Sequence, residues 1–210
     1  RWELSFDRNN RHHAKLRIFS NDDFHAIQNI GVGRDGTFEL VKNEKTGEIF
    51  AKKTLNNDRL KSLNSGEDKE SDALITFDHP SILHIIGFIN RNFLKKQKSA
   101  IIMDYIPNGS LISILKNENL APPGWNPTKK SIVIYGIAFG LQLLHSNGLM
   151  HSDLRTSSIL LDENLEPRIG DIGLTRHDND DLEVHDLIFK APEVLLRKPY
   201  DYSADVYSFG

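Results

Sequence analysis

The chain contains no cysteine, which excludes a disulfide framework and any thiolate metal site. It has no apolar run of transmembrane length, and its start, Arg1-Trp2-Glu3-Leu4, is too polar for a secretory signal. A large excess of one charge is lacking: 26 Lys and Arg against 29 Asp and Glu leave a net charge of −3. The overall field therefore draws the protein neither to nucleic acid nor to an anionic membrane. Internal repeats and low-complexity tracts are missing too. The first residue is not Met and the last are Ser208-Phe209-Gly210, so the chain reads as a segment of something longer, with a cytoplasmic location as the default expectation. What is present is an ordinary globular composition, 39% hydrophobic and 26% charged over 210 residues. That suffices for one large domain or two small lobes with a real core.

Residues 1–22 are polar and without sustained periodicity, and read as a flank or linker. From Phe24 to Leu55 the pattern is that of strands: Ile49, Ala51, Lys53 and Leu55 alternate with Phe50, Lys52 and Thr54, and Lys45-Thr46-Gly47-Glu48 supplies a hairpin turn. Glu70, Leu74 and Phe77 recur at helical spacing, predicting a helix over 67–77 that Asp78-His79-Pro80 stops. Strands are expected at 82–89 and 100–105, flanking a basic loop from Arg91 to Lys98 that reads as a solvated tip. After Tyr105 the character changes. Pro107-Asn108-Gly109 is a turn, Ser110 is placed to cap a short helix to about Lys116, and residues 128–146 predict an amphipathic helix with Ile134, Ile137, Ala138, Leu141 and Leu144 on one face. Sheet followed by helix, joined at a turn, predicts two lobes with a cleft between them.

Five clusters follow one another along the chain: Gly31-Val32-Gly33-Arg34-Asp35-Gly36, Phe50-Ala51-Lys52-Lys53, His151-Ser152-Asp153, Asp171-Ile172-Gly173 and Ala191-Pro192-Glu193. Glycines at 31, 33 and 36 would let backbone N–H groups approach phosphates unobstructed. A dinucleotide fold needs a helix after such a triplet, yet Thr37-Phe38-Glu39-Leu40-Val41 reads as a strand, and no Gly-Lys-Ser/Thr follows for a Walker-type loop. A flap of strand, turn and strand remains. Taken singly, each cluster has a plain reading: a turn, a solvated lysine, loop-forming Asp and His. As an ordered set they resemble the protein kinase superfamily, and the wording of Asp201-Tyr202-Ser203-Ala204-Asp205-Val206-Tyr207-Ser208-Phe209-Gly210 resembles its tyrosine-kinase-like serine/threonine group.

That resemblance covers about residue 22 to the end. It implies an α+β, bilobal fold: a β-rich N-lobe over 23–105, and a partial, mainly helical C-lobe over 106–210 that stops before the family's last helices. The implied activity is transfer of the γ-phosphoryl group of ATP, with Mg²⁺, to Ser/Thr or Tyr hydroxyls of a protein substrate, with no nucleic-acid partner and no membrane insertion. In that reading Ile30, Gly31, Gly33, Gly36 and Phe38 cover the nucleotide, and Ala51 lines the adenine pocket. Lys53 meets the α/β-phosphates and pairs with Glu70, with Glu67 the second choice. Met103 is the gatekeeper, backbone groups of Asp104 and Ile106 meet the adenine edge, and Leu160 closes the pocket from below. Asp153 orients the hydroxyl and accepts its proton, Arg155 faces the γ-phosphate, and Asp171 holds the metal. Asp205 clamps the catalytic loop through its backbone.

The pattern departs from the family in several places. Phe38 stands where Val is usual, Asp35 replaces an aromatic tip, and Ile172 replaces Phe. Ser158 stands where Asn binds a second metal ion; if that contact is worth about 3 kcal/mol in the transition state, its loss slows the reaction roughly a hundredfold. Ser152 replaces the Arg that receives an activation-loop phosphate in many relatives, and Arg176 to Lys190 contains no Ser, Thr or Tyr. Receptor and ligand are missing together, so activation-loop phosphorylation is not expected, with Thr175 poorly placed for that job. Asp178, Asp180, Asp181, Glu183 and Asp186 read as solvated, with a fixed negative loop as the second reading. Leu187-Ile188-Phe189-Lys190 departs from the family's peptide-docking segment. These departures support a second reading, a pseudokinase that binds nucleotide or serves as a scaffold with little phosphotransfer.

Overall fold

The computed structural model describes residues 17–33, 36–56, 79–90, 98–172 and 184–210. The predicted helix at 67–77, with Glu67 and Glu70, lies outside these residues, as do most of the basic loop at 91–98 and the stretch 173–183. A six-stranded sheet holds β1 (Arg17–Phe19), β2 (Phe24–Gly33), β3 (Gly36–Asn43), β4 (Ile49–Leu55), β5 (Ile85–Ile89) and β6 (Ala100–Asp104) in the order β1-β5-β6-β4-β3-β2. All neighbours are antiparallel except β1, which lies parallel on β5.

The strand period is visible directly in β4, where Ala51, Lys53 and Leu55 are buried and the residues between them are not. Strand β6 is apolar on both faces and buries both. Ile101 and Met103 join Ala51, Leu55, Leu83 and Phe88 in one cluster, while Ala100 and Ile102 join Phe24, Val41 and Ile89 in another. At the hairpin after β3, Asn43 Oδ1 accepts from the N–H groups of Lys45 and Thr46, and Gly47 takes φ +77°. This backbone region favours glycine.

Beyond Asp104 the chain crosses to a helical part: α1 (Leu111–Lys116), α2 (Pro127–Ser146), the hairpin β7 (Ile159–Leu161) and β8 (Pro167–Ile169), then α3 (Pro192–Leu195) and α4 (Ser203–Phe209). Its core gathers Ile82, Leu111, Ile114, Val133, Ile137, Leu141 and Leu144 with Leu154, Ile159, Leu161 and Ile169. Asn126 caps α2 by accepting from Lys129 N–H, and Pro127 occupies the first turn, where its missing N–H costs nothing. The crossing is tied down on both sides. Gly109 N–H donates to Ile106 O, Leu161 N–H donates to Gly109 O, and Asn108 Nδ2 donates to Asp162 O.

Three details differ from expectation. Residues 17–19, inside the stretch read as a flank, form an edge strand of the sheet. The helix α2 has the expected period but a shifted phase: Val133, Ile137, Gly140, Leu141 and Leu144 are buried, whereas Ile134 is 58% exposed and Ala138 also faces out. The reason is β8. A Cβ on Gly140 would come 2.6 Å from Ile169 Cδ1, and one on Gly136 would come 2.5 Å from Pro167 Cγ. The two glycines, one turn apart, set which face approaches β8. Finally, Ser110 sits at the N-cap of α1 but makes no side-chain cap; its hydroxyl meets Ser113 Oγ at 2.9 Å.

Candidate functional site

Lys53 reaches the site because strand alternation turns it, with Ala51, toward the inner face of β4. It is 2% exposed, and its ammonium meets Asp171 Oδ1 at 2.5 Å across 118 positions of sequence. Burial without such a partner would cost several kcal/mol, so the ion pair and the burial explain each other. Asp171 follows β8 with φ +56°, a left-handed conformation that a non-glycine residue adopts at a cost of order 1–3 kcal/mol. Lys52 points the other way and pairs with Glu39 at 2.9 Å. It is therefore a structural ion pair, not the freely solvated charge that its residue type suggests.

The loop 151–158 is held from beneath. Buried Asp205, on α4, accepts from His151 N–H at 2.7 Å and Ser152 N–H at 2.8 Å, and contacts His145 Nε2 at 2.9 Å. These bonds give the backbone clamp expected at Asp205 and hold Ser152 at φ +67°. His151 is 1% exposed; its Nδ1 accepts from Asp153 N–H and its Nε2 faces Gly170 O at 3.0 Å. With one nitrogen accepting and the other set against a carbonyl, the ring is the neutral tautomer protonated at Nε2. Burial holds its pKa below the ordinary 6.5, outweighing the opposing pull of Asp205, Asp153 and Asp171. Through this ring the Asp153 loop and the Asp171 turn share one support.

Asp153 is 6% exposed. Its Oδ2 lies 3.4 Å from Arg155 Nη2, and its Oδ1 accepts from Lys190 Nζ at 2.8 Å. Sequence reasoning did not single out Lys190. A signal existed: it is the one charged residue in Leu187-Ile188-Phe189-Lys190-Ala191, where a solvated lysine would have no reason to sit. Ser158 is 3% exposed and turned onto its own loop: its hydroxyl donates to Arg155 O at 2.8 Å and accepts from Arg155 N–H at 3.1 Å.

The candidate pocket residues Ala51, Met103, Ile106 and Leu160 belong to a single apolar cluster on the inner face of the sheet. Met103 and Asp171 line one recess with Leu83 and Ile172. At the crossing, Asp104 N–H donates to His84 O and Ile106 O accepts from Gly109 N–H. Gly31 and Gly33 end β2 and Gly36 opens β3, with Gly33 and Gly36 directly paired. Gly36 allows close approach: a Cβ there would lie 2.0 Å from Thr54 O. Ile30 is 39% exposed on β2 and outside the apolar cluster. The Phe38 ring lies 5.3 Å from Lys53 Nζ, within cation–π range, so it fills space beside the ammonium that a valine would leave open. Glu70 and Glu67 lie outside the described residues.

Among the described residues no group of three or more His, Asp or Glu gathers to hold a metal alone. The donor set still suits magnesium. Asp171 offers a hard carboxylate whose side chain is 30% exposed, and this ion binds through one or two carboxylates with water and substrate phosphates completing its shell.

Comparison with known proteins agrees with this geometry. The protein kinase domain family matches residues 24–210. The chain is 31% identical over 202 residues to cAMP-dependent protein kinase type 3 of Saccharomyces cerevisiae, covering 91% of the chain and 47% of that protein. It is 32% identical over 208 residues to the Pelle-like serine/threonine-protein kinase pik-1 of Caenorhabditis elegans, covering 88% and 42%. A cysteine-rich receptor-like protein kinase of rice, number 6 of its series, is 32% identical over 206 residues, covering 91% and 28%. The chain thus spans less than half the length of each of these relatives. With a sheet and a helical part joined at one crossing, and a family match running almost from end to end, this chain belongs to the protein kinase domain family.

Proposed function

We propose that the domain binds ATP and magnesium between its sheet and its helical part, and transfers the γ-phosphoryl group to Ser or Thr hydroxyls of a protein. The observation that carries this reading is the Lys53–Asp171 ion pair, which brings a strand lysine and a distant loop carboxylate to one point beside Asp153's loop. Lys53 would hold the α/β-phosphates, with Glu70 as its partner when nucleotide draws it from Asp171. Asp171 would hold magnesium, which when bound neutralises charge on the phosphate oxygens. Asp153 would orient the acceptor hydroxyl and take its proton, with Arg155 toward the γ-phosphate. Backbone groups of Asp104 and Ile106, at the crossing from the sheet to the helical part, would serve the adenine edge. Ser158, with its hydroxyl engaged by Arg155, would contribute to loop shape more than to metal binding.

We divide the domain into an N-lobe over 23–105 and a C-lobe over 106–210, and assign it to the tyrosine-kinase-like group on the wording of Asp201–Gly210 and the Pelle-like relative. A cytoplasmic protein substrate fits this chemistry, and among the described residues no helix is long and apolar enough to cross a membrane. The pseudokinase is the weaker reading, because the sequence keeps Lys53, Asp153 and Asp171 where the family has its charged residues, and relatives such as pik-1 carry serine/threonine-protein kinase names. The test is Mg²⁺-dependent ATP turnover by the full-length protein. Asp153→Asn should lower kcat by about 10²–10⁴-fold, the usual worth of a general base, and Asp171→Ala should reach background. Wild-type turnover no greater than that of these variants would refute the reading.

A further inference from the structure

We propose that Lys190 is a positioning residue that fixes the Asp153 carboxylate, assigning Oδ2 rather than Oδ1 to receive the proton of the acceptor hydroxyl. The proposal rests on the kinase reading above. The Lys190 ammonium is 2.8 Å from Asp153 Oδ1 and 3.0 Å from Ser152 O. Its side chain is 8% exposed and that of Asp153 is 7% exposed. A lysine this deeply buried needs partners, and both of these come from the loop that carries the base.

The backbone behind Lys190 is fixed as well. Its N–H donates to Leu187 O at 3.1 Å, and the preceding carbonyl, Phe189 O, accepts from Ser208 Oγ at 2.6 Å. Ser208 stands one turn beyond Asp205 on α4, and Asp205 holds the N–H groups of His151 and Ser152. One helix therefore registers the segment that delivers the lysine against the loop that delivers the base. With Oδ1 bound by Lys190, the carboxylate cannot swing, and Oδ2 is presented on the side of Arg155. In the transfer, the acceptor O–H bond breaks toward Oδ2 as its oxygen forms the new bond to phosphorus. The bond from phosphorus to the bridging oxygen of ADP breaks, and ADP leaves with that electron pair.

The test uses the full-length protein, MgATP and myelin basic protein as phosphoacceptor. Lys190→Met should lower kcat at least tenfold, while KM for ATP and the nucleotide-induced thermal shift stay within twofold of wild type. Lys190→Arg, which keeps the charge and the donors, should return kcat to within threefold of wild type. A purely structural lysine would instead change melting temperature in both variants without this split between kcat and KM. Should the Met variant fail to fold, Lys190→Gln replaces it, with the same expected loss of kcat and the same recovery by Arg. An active wild type whose Met or Gln variant stays within twofold in kcat overturns the role of Lys190 alone, as does an Arg variant no better than Met. A wild type without turnover overturns the kinase reading and this proposal together.

Discussion

At the scale of single residues, the site is a set of buried charges whose partners are all close by. Lys53 has Asp171, Asp153 has Lys190 and Arg155, and Asp205 has two backbone N–H groups and His145. The exception is His151, which is buried neutral and so adds a pH dependence. Its pKa in the folded chain lies below 6.5 because burial penalises the charged ring. Below about pH 6.5 the unfolded chain takes up a proton that the native state refuses, so the native state loses stability as pH falls. The slope approaches about 1.4 kcal/mol per pH unit while only the unfolded form is protonated. Thermal unfolding between pH 7 and pH 5 should therefore show a steeper acid decline for wild type than for His151→Asn, even though the variant is less stable at neutral pH. Parallel curves for the two proteins would contradict the neutral assignment. The meeting of Lys53 with Asp171 was legible because each sits in a cluster of characteristic neighbours. Lys190 was legible only in part: its apolar neighbours signal burial, but its partner is 37 positions away and nothing local identifies it.

At the scale of elements, the helix α4 organises the loop. Asp205 supplies acceptors to two N–H groups of a turn that contains a left-handed Ser152, and Ser208 secures the segment bearing Lys190. Asp205→Ala would leave the buried His151 N–H without its partner, at about 1–3 kcal/mol, and would release the less buried Ser152 N–H as well. The expected result is a melting temperature lower by several degrees and a fall in kcat, since His151 and Asp153 lose their support; unchanged unfolding and turnover would show that the loop stands without the clamp. A phosphosite map of the active protein is the companion measurement for 171–193, where no activating modification is expected. How much of the elements could be read beforehand depends on what sets them. The period of two in β4 fixed which lysine points inward, and that reading holds. The period of α2 was equally clear, but its phase was not, because Ile134 and Ala138 are as apolar as the residues actually buried. The deciding information lay in Gly136 and Gly140, whose missing side chains admit Pro167 and Ile169. A strand such as β1 is set by a tertiary pairing and leaves almost no local pattern.

At the scale of the whole molecule, that pairing extends the sheet by one strand. Without β1, strand β5 would be the edge among the described residues, with unpaired N–H and C=O groups on the side away from β6. The register Arg17↔Gly87, Ile18↔Phe88, Phe19↔Ile89 covers it. Phe19 also brings an aromatic ring to the outer cluster, edge-on to Phe24 at 5.1 Å, and Phe24 meets Phe50 at 6.2 Å. The approach requires glycine at 87: a Cβ there would lie 2.2 Å from Arg17 O, against backbone that cannot yield without the strand moving away. Two independent changes thus probe one contact. Gly87→Ala should displace β1 from within, and removal of residues 1–19 from the full-length protein should abolish it from without. Each should cost about 2 kcal/mol, the scale of one partly lost aromatic and a short strand pairing, which lowers the melting temperature by roughly 4–8 °C in a domain of this size. Because both act on β1, combining them should cost little more than the deletion alone. Additive losses would mean that Gly87 serves β5 and β6 instead, and that β1 lies on the sheet without holding it.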